Sequence, residues 1–171
     1  PLDEQLWSTS AGTNLSERSF YQDQLNKQNV NKLAILWEYN SGYTRPDDTV
    51  QATPIFTGDH LITVSVQGHL ISLNPKNGKE NWSVKLDKPV GRRGLTYVED
   101  RGNGLGGIYV ASGEFILHID QRDGSTIKKF DSGVSVLQPF VFDGSLLVAT
   151  MTAGVKSFDV RTGSQEWETR L

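Results

Sequence analysis

The sequence carries the stretch Gly154-Val-Lys-Ser-Phe-Asp-Val-Arg-Thr-Gly-Ser-Gln-Glu-Trp167, which consists of a short apolar strand, a turn that ends in glycine, and a strand that leads to tryptophan. The same order recurs in Gly68-His-Leu-Ile-Ser-Leu-Asn-Pro-Lys-Asn-Gly-Lys-Glu-Asn-Trp82 and in Phe115-Ile-Leu-His-Ile-Asp-Gln-Arg-Asp-Gly-Ser-Thr-Ile-Lys128. The turn glycines, spaced by 46 and 39 residues, are Gly78, Gly124 and Gly163. A repeat of about 40–46 residues with several strands predicts an all-β fold built of β-propeller blades.

Each repeat has turn-forming residues at fixed positions. The dipeptides Asn77-Gly78 and Asp123-Gly124 predict two-residue hairpin turns, because both residues can adopt the positive φ values that such turns need. At the start of each turn we expect a side-chain oxygen to accept hydrogen bonds from nearby backbone N–H groups. These residues are Asn74, Asp120 and Asp159.

A second hairpin precedes the repeat in each unit. It turns at Gly58-Asp59 in the first unit and at Asp143-Gly144 in the third, and a Gly-rich loop over 99–107 joins its strands in the middle unit. Four-stranded units would then end near Trp37, Trp82, Lys128 and Trp167. Residues 33–171 are therefore predicted to hold about three antiparallel blades plus the last strand of another. Propellers close with about four to eight blades, so we expect a fragment or one part of a split chain, with the remainder of the propeller as its partner.

The first 32 residues differ from the rest of the chain. They are polar and carry little β pattern. We predict that residues 1–32 form an irregular strap across the propeller face or edge, with a short helical turn within 19–33.

Composition limits the classes of function. The chain has 171 residues, a net charge of −3 and no cysteine. This charge gives no electrostatic reason for a nucleic-acid partner, and the lack of cysteine excludes a disulfide or a thiolate metal site. The apolar runs are far shorter than the roughly 18 residues that span a bilayer. The N-terminus lacks the features of a signal peptide, so if the protein is exported, its signal is absent from this numbering.

Several residues that carry chemistry in other proteins are given structural interpretations here. His60, His69 and His118 are not spaced like metal ligands, and we expect them to be surface or rim residues. The glycines between 102 and 107 precede neither a helix nor the lysine of a phosphate loop, which excludes nucleotide binding of that kind. The tryptophans are expected to pack between blades and not to stack on a ligand.

The blade-end pattern Ser157-Phe-Asp-Val-Arg-Thr-Gly-Ser-Gln-Glu-Trp167 resembles that of the quinoprotein dehydrogenases, the PQQ-dependent alcohol and sugar dehydrogenases. Their catalytic domain is an eight-bladed propeller, so the resemblance implies a partial ring of that type. Two further parts of the chain are similar to the family. One is the N-terminal series Trp7, Gln24-Leu-Asn26, Asn29-Val30 and Trp37-Glu-Tyr39, and the other is Gly91-Arg-Arg-Gly-Leu-Thr-Tyr97.

The resemblance implies cofactor contacts for three residues. The family's quinone-binding arginine corresponds to Arg93, and a guanidinium suits carboxylate and quinone oxygens. Gln51 stands where many members have a Glu that contacts the quinone. Gln138 lies close to Val136, at which methanol-oxidising members have Thr. The family's metal-coordinating Glu falls in the span 149–156, which has no carboxylate here. The implied calcium or lanthanide ion would take its ligands elsewhere, and the catalytic Asp is expected beyond residue 171.

The resemblance implies the N-terminal part of a PQQ-dependent dehydrogenase in the periplasm. It would oxidise a sugar or alcohol substrate and pass electrons to a cytochrome or membrane quinone acceptor. The lack of the adjacent cysteines found in many alcohol-oxidising members favours the sugar branch, and the isolated chain is predicted to be inactive. The alternative is a non-catalytic propeller that serves as a protein-binding scaffold. Gln51 and the missing Glu favour the scaffold, whereas Arg93 and the strap favour the enzyme.

Overall fold

The structure, a computed structural model, describes residues 7–12, 24–42, 52–152 and 154–170. Within these ranges the chain forms antiparallel strands and one turn of 3-10 helix at Val30–Lys32. The strands are β1 (Ile55–Phe56), β2 (Leu61–Val64), β3 (His69–Leu73), β4 (Glu80–Lys85), β5 (Val90–Val98), β6 (Gly107–Ser112), β7 (Phe115–Ile119), β8 (Thr126–Asp131), β9 (Val136–Phe142), β10 (Ser145–Thr150), β11 (Gly154–Asp159) and β12 (Gln165–Arg170).

The strands form three sheets of four, each in chain order. Blade 1 is β1 to β4, blade 2 is β5 to β8, and blade 3 is β9 to β12. Every neighbouring pair is antiparallel, as expected for strands that short turns connect. This meander confirms the predicted fold class of all-β propeller blades. In the described part of the chain, no helix is long and apolar enough to cross a membrane.

The apolar core lies between the blades. One cluster joins Ile62 and Leu70 of blade 1 to Leu95 and Ile108 of blade 2. A second cluster joins blade 2 to blade 3, and it includes Tyr109, Ile116, Phe130, Val141, Leu146 and Phe158. Blade 2 therefore has apolar neighbours on both of its faces. This explains why all six residues of β6 are buried, without the alternation of a strand that has one face in water.

Two tryptophans pack on the last turn of the blade that follows them. The Trp82 indole Nε1 donates a hydrogen bond of 2.9 Å to the carbonyl of Gln121, and an added Cβ at Gly124 would lie 2.8 Å from the indole ring. Trp37 repeats this contact on blade 1. Its Nε1 donates to the Pro75 carbonyl at 2.9 Å, and a Cβ at Gly78 would lie 2.5 Å from its ring. The prediction that the tryptophans pack between blades is confirmed for Trp82, while Trp37 packs in the same way on blade 1 from a segment outside the three sheets.

We call the contact of a fourth-strand side chain with the last turn of the next blade a joint. At the joint between blades 2 and 3, lysine takes the position of the tryptophan. The Lys128 Nζ donates to the carbonyl oxygens of Val160, at 3.1 Å, and of Arg161. The turn glycine Gly163 is less crowded than its counterparts, because an added Cβ would lie 3.5 Å from the lysine Cδ. The ammonium group therefore replaces the hydrogen bond of the indole without replacing its ring contact.

The last turns of the blades are not the two-residue turns that we predicted. Gly78 and Gly124 have positive φ, but Asn77 and Asp123 do not. The reason is that each turn is longer. The Gly78 N–H donates to the Asn74 carbonyl at 2.8 Å, and the Gly124 N–H donates to the Asp120 carbonyl at 2.9 Å, so only the glycine needs the left-handed conformation. In contrast, Asp143 and Gly144 both have positive φ and form the predicted tight turn.

The side chains at the start of these turns behave as predicted. Asn74 Oδ1 accepts from the Lys76 N–H at 2.9 Å, and Asp120 Oδ1 accepts from the Arg122 N–H at 2.8 Å. The Asp159 carboxylate does the same at its own turn. The Arg122 guanidinium also donates to the Asp120 carboxylate, and this hydrogen bond lowers the pKa of Asp120 to about 2.

The prediction that His118 is a surface or rim residue is wrong. Its exposed fraction is 2%, and its ring stacks on Tyr109 with the centroids 4.4 Å apart. The Nε2 atom donates to the Gly106 carbonyl at 2.7 Å, which ties β7 to the loop before β6. Burial lowers the pKa of His118. His118 lies in a strand that packs on both faces. The sequence of that strand alone does not show this packing.

The segment around Trp37 lies outside the three sheets. Residues 33–40 have no strand assignment. Trp37 nevertheless packs on the last turn of blade 1, and the equivalent contact on blade 2 is made by a residue of a fourth strand. The extra strand, and the division of the chain at residue 33, therefore stay predictions.

Replacing Gly124 with Ala is expected to destabilise the protein more than replacing Gly163. The φ values are +77° and +82°, so the strain of a left-handed alanine, about 1–2 kcal/mol, is common to both variants. Only at position 124 does the new Cβ meet an indole ring, which adds an overpacking cost of about 1–3 kcal/mol. Urea denaturation of both variants measures the difference. Equal losses of stability would show that the indole does not constrain the turn.

The pair of Asp120 and Arg122 is expected to support the fold only above moderately acidic pH. Because folding depresses the pKa of Asp120 to about 2, its contribution is complete above its unfolded pKa of about 4 and is lost as pH falls from there toward 2. In Arg122→Gln this pH dependence should become weaker, and in Asp120→Asn it should disappear. Thermal unfolding between about pH 2 and pH 6 tests this, and identical acid limbs in all three proteins would contradict it.

Candidate functional site

Two of the three predicted site residues, Arg93 and Gln138, lie at one edge of the blades, here called the cofactor edge because the family resemblance predicts the cofactor there. It is formed by the starts of β5 and β9 and by the turns that follow β6 and β10. Backbone hydrogen bonds join these parts. The Gly113 N–H donates to the Pro89 carbonyl at 3.1 Å, and the Val136 N–H donates to the Gly113 carbonyl at 3.1 Å. The N–H of Met151, in the turn after β10, donates to the Ser135 carbonyl at 2.9 Å. The edge is thus a continuous, hydrogen-bonded rim.

A bulge interrupts β5 at this edge. Val90 pairs with Ser112 and Leu95 pairs with Val110, so five steps along β5 span only two steps along β6. The residues between these pairs, 91–94, leave the ladder and form a local protrusion. The Gly-x-x-Gly pattern of the sequence therefore marks a bulge.

Glycine is needed at both ends of the bulge because the backbone is crowded there. An added Cβ at Gly94 would lie 3.0 Å from the Gly91 carbonyl oxygen and 3.1 Å from that of Ala111. A Cβ at Gly91 would lie 3.2 Å from the Val136 carbonyl oxygen of blade 3. The bulge is thus packed closely onto the start of β9, and a side chain at either glycine would force a neighbouring carbonyl to shift.

Arg93 is carried by this bulge and is exposed. Within the described residues, its guanidinium has neither a hydrogen bond nor an ion pair with the protein. A guanidinium stays charged at any working pH and offers a planar set of N–H donors. Arg93 therefore presents an unused cationic donor at the cofactor edge, which suits a ligand with carboxylate or quinone oxygens.

Gln138, the second predicted residue, is held by the protein. Its Oε1 accepts from the Ser10 hydroxyl at 2.9 Å, and its Nε2 donates to the Thr96 hydroxyl at 3.4 Å. Thr96 is buried, and its own proton goes to the Pro139 carbonyl at 2.6 Å. Since Thr96 can then only accept from Gln138, the orientation of the amide is fixed. The amide ties β9 to β5, and its contact with a cofactor stays a prediction.

The N-terminal segment 7–12 crosses the first strand of every blade. Trp7 and Phe56 exchange backbone hydrogen bonds of 3.1 and 2.8 Å, and the Tyr97 N–H donates to the Ser8 carbonyl at 2.7 Å. The Ser10 side chain then reaches Gln138 on β9. This segment connects β1, β5 and β9 and thereby fixes the strands that carry the predicted site. Gln51, the third predicted residue, lies outside the described residues.

The span 149–156 faces a cavity of about 440 Å³ beside the turn after β10. Its charged residue is Lys156, whose side chain is only 14% exposed. The Nζ atom donates to the Ser132 carbonyl at 2.7 Å and lies 3.4 Å from the Glu168 carboxylate. A lysine therefore occupies the span to which the resemblance assigns a metal-coordinating carboxylate, and Glu168 is paired with it.

The donor set of the described residues does not fit a metal ion. They contain no group of three His, Asp or Glu side chains placed to hold one. Calcium and lanthanide ions need several oxygen ligands, preferably anionic. The same residues do fit part of an anionic quinone cofactor, because Arg93 offers the charge and the N–H donors that such oxygens accept from.

Three residues of this edge were not found from the sequence. Ser10 and Gln138 are 128 positions apart, and no pattern in one sequence connects them. Lys156 was read only as part of a span without carboxylates. Thr96 offered a signal, because it is a hydroxyl residue between the apolar Leu95 and Tyr97, and such a residue needs a partner when it is buried.

Comparison with known proteins matches most of the chain. The family model described as "Glucose/ethanol/alcohol dehydrogenase, beta-propeller domain" matches residues 7–138. The quinohemoprotein alcohol dehydrogenase of Comamonas testosteroni is 27% identical over 94% of this chain and 25% of its own length. The quinoprotein glucose dehydrogenase A of Acinetobacter calcoaceticus is 31% identical over 50% of this chain and 12% of its own length.

The fold of a solved relative agrees with the blades described above. The crystal structure of the Comamonas testosteroni enzyme superposes with a TM-score of 0.78 at 18% sequence identity. The match covers 96% of this chain and 27% of that one. The chain thus spans about a quarter of the length of this relative, which makes it part of a larger propeller.

Ser10 and Gln138 are expected to be energetically coupled. The double variant Ser10→Ala/Gln138→Ala should be destabilised less than the sum of the two single variants, with a coupling of about 1 kcal/mol, because each single change removes the same hydrogen bond. Urea denaturation of the four proteins gives this coupling. As a matched control, Ser10→Ala combined with Gln67→Ala should be additive, because Gln67 is an exposed glutamine in the turn between β2 and β3 of blade 1. Additivity in the first pair would contradict the contact.

Proposed function

Because the chain belongs to the β-propeller domain family of the glucose, ethanol and alcohol dehydrogenases, we propose that it is the N-terminal part of a PQQ-dependent dehydrogenase that oxidises a sugar or an alcohol. The observation that carries this proposal is Arg93. It stands in the matched region, on a bulge shaped by two glycines, with a guanidinium that the described protein leaves unused. The curated relatives named for alcohol and glucose oxidation support the substrate class.

In this proposal Arg93 binds PQQ at the cofactor edge. When bound, PQQ supplies the electron acceptor for oxidation of an alcohol group. The guanidinium of Arg93 donates to the carboxylate or quinone oxygens, and its fixed charge favours the anionic cofactor. Gly91 and Gly94 hold the arginine at the edge, and the contacts of Ser10, Thr96 and Gln138 fix β5 against β9. The chain contributes cofactor binding and orientation, while proton removal from the substrate falls to a residue beyond 171.

The same proposal covers the other cofactor contacts, the metal ion, the cellular location and the electron acceptor. Gln51 and Gln138 are proposed to lie beside the cofactor. A calcium or lanthanide ion would be bound by residues outside this chain, because the span 149–156 offers lysine in place of carboxylate. We place the protein in the periplasm and assign electron transfer to a cytochrome or a membrane quinone. The bacterial origin of the relatives supports this location.

Reconstitution of the complete protein with PQQ and Ca²⁺ tests the proposal. We expect quinone absorbance in the purified protein and dye-linked oxidation of sugars or alcohols. Arg93→Ala should weaken PQQ binding by about tenfold to a hundredfold, because it removes charge-assisted hydrogen bonds of about 1.5–3 kcal/mol. Arg93→Lys should recover part of the affinity through its charge.

Arg122→Ala is the matched control, because Arg122 is an exposed arginine in the last turn of blade 2, at the opposite edge. It should leave PQQ affinity unchanged. If the complete protein binds no PQQ, the enzyme proposal is wrong and the scaffold alternative gains support. Equal losses of PQQ affinity in Arg93→Ala and Arg122→Ala would show that Arg93 has no specific role in PQQ binding.

A further inference from the structure

Two Asn-Gly pairs lie at the edge opposite the cofactor edge, and the fold presents them in different ways. Asn77-Gly78 is in the last turn of blade 1, and Asn103-Gly104 is in the loop between β5 and β6. In such a pair the backbone nitrogen of the glycine can attack the side-chain amide carbon of the asparagine, because glycine has no side chain to hinder the approach. The reactivity of each pair therefore depends on how the structure holds that amide and that nitrogen.

The amide side chain is held alike in the two pairs. Asn77 Oδ1 accepts from the Lys79 N–H at 3.0 Å, and Asn103 Oδ1 accepts from the Leu105 N–H at 3.1 Å. Such a donor stabilises the negative charge that develops on the oxygen when the neighbouring carbon is attacked. Both asparagines are exposed. The group that is attacked is therefore matched between the two sites.

The backbone nitrogen of the glycine is where the two pairs differ. The Gly78 N–H donates to the Asn74 carbonyl at 2.8 Å, and the buried Gly78 lies against the indole of Trp37. In the part of the chain that the structure describes, the Gly104 N–H has no acceptor. Gly104 is exposed, and an added Cβ there would meet no atom within 4 Å. Water and hydroxide therefore reach the nitrogen of Gly104, whereas that of Gly78 is covered and hydrogen-bonded.

We propose that Asn103 is a site of spontaneous deamidation in this protein and that the fold protects Asn77 from the same reaction. The Gly104 nitrogen loses its proton to hydroxide and bonds to the Asn103 Cγ. The bond from Cγ to Nδ2 breaks, and ammonia leaves with a proton from water. Water then opens the resulting succinimide at one of its two carbonyl groups, which gives aspartate or isoaspartate. The reaction replaces a neutral amide with a carboxylate, and it requires neither PQQ nor catalysis by the protein.

The isoaspartate product is expected to loosen the loop at a buried anchor. Leu105 is buried, its N–H donates to Asn103 Oδ1, and its carbonyl accepts from the Tyr109 hydroxyl at 2.8 Å. Aspartate keeps a side-chain oxygen where the Leu105 N–H needs one. Isoaspartate instead routes the main chain through the former side-chain carbon, which displaces this acceptor. Formation of isoaspartate therefore frees the Leu105 N–H and weakens the attachment of the loop to β6.

Incubation of the complete protein at mildly alkaline pH, followed by peptide mass spectrometry, tests the proposal. The change in mass from amide to acid identifies the deamidated peptides, and chromatography separates aspartate from isoaspartate. We expect Asn103 to react several-fold faster than Asn77 in the native protein, and the two rates to become similar in urea. Equal native rates, or a faster reaction at Asn77, would overturn the proposal. A difference that persists unchanged in urea would show that the local sequence, and not the fold, causes it.

Variants of the complete protein test the reason for the difference. Trp37→Ala uncovers Gly78, so the deamidation rate of Asn77 should rise toward its rate in urea. The rate of Asn103 should stay unchanged, which also shows that the variant is folded. Trp37→Phe is the matched control, because it keeps an aromatic ring over the glycine and should keep the protection. An unchanged rate of Asn77 in Trp37→Ala would contradict the protective role of the indole.

Hydrogen exchange separates the effect of the new charge from that of the altered main chain. Asn103→Asp supplies the charge on an ordinary backbone, and exchange in the segment 104–109 should stay close to that of the unmodified protein. Protein enriched in isoaspartate at position 103 should exchange several-fold faster there, because the Leu105 N–H has lost its acceptor. Equal exchange in Asn103→Asp and in the isoaspartate form would contradict the release of Leu105.

Discussion

The contact between the fourth strand of one blade and the last turn of the next blade is the interaction on which the structure depends. A single side chain supplies both an N–H donor for a turn carbonyl and, where it is tryptophan, a flat surface over a glycine. A four-stranded sheet with an apolar face cannot be stable alone, because that face must be buried against another element. The joint fixes the spacing and angle between them, and the cores between blades follow from that spacing.

The same frame makes a site possible at the cofactor edge. At the bulge of β5, Gly91 and Gly94 allow carbonyl groups of blades 2 and 3 to approach closely. The N-terminal segment then fixes β5 against β9 through Ser10, Gln138 and Thr96. The backbone of Arg93 is thus restrained, whereas its exposed guanidinium has no protein partner among the described residues and would be ordered by the ligand that it binds.

Much of this architecture could be predicted because it repeats. The spacing of Gly78, Gly124 and Gly163 predicted the blades, and Trp82 packs between blades as predicted, whereas Trp167 is 46% exposed. The turns at Asn77 and Asp123 were predicted wrongly, because the Asn-Gly signal does not report loop length. The burial of His118 and the partners of Gln138 depend on contacts between residues far apart in the sequence. Such contacts leave no periodic pattern.

We propose that Arg93 holds a quinone cofactor at the edge where the first strands begin, and an experimental structure of the complete protein with PQQ bound would test this. In that structure, guanidinium nitrogens of Arg93 should lie about 3 Å from carboxylate or quinone oxygens of PQQ, as in a charge-assisted hydrogen bond. A structure in which PQQ binds while Arg93 bonds only to protein carbonyl groups would contradict it.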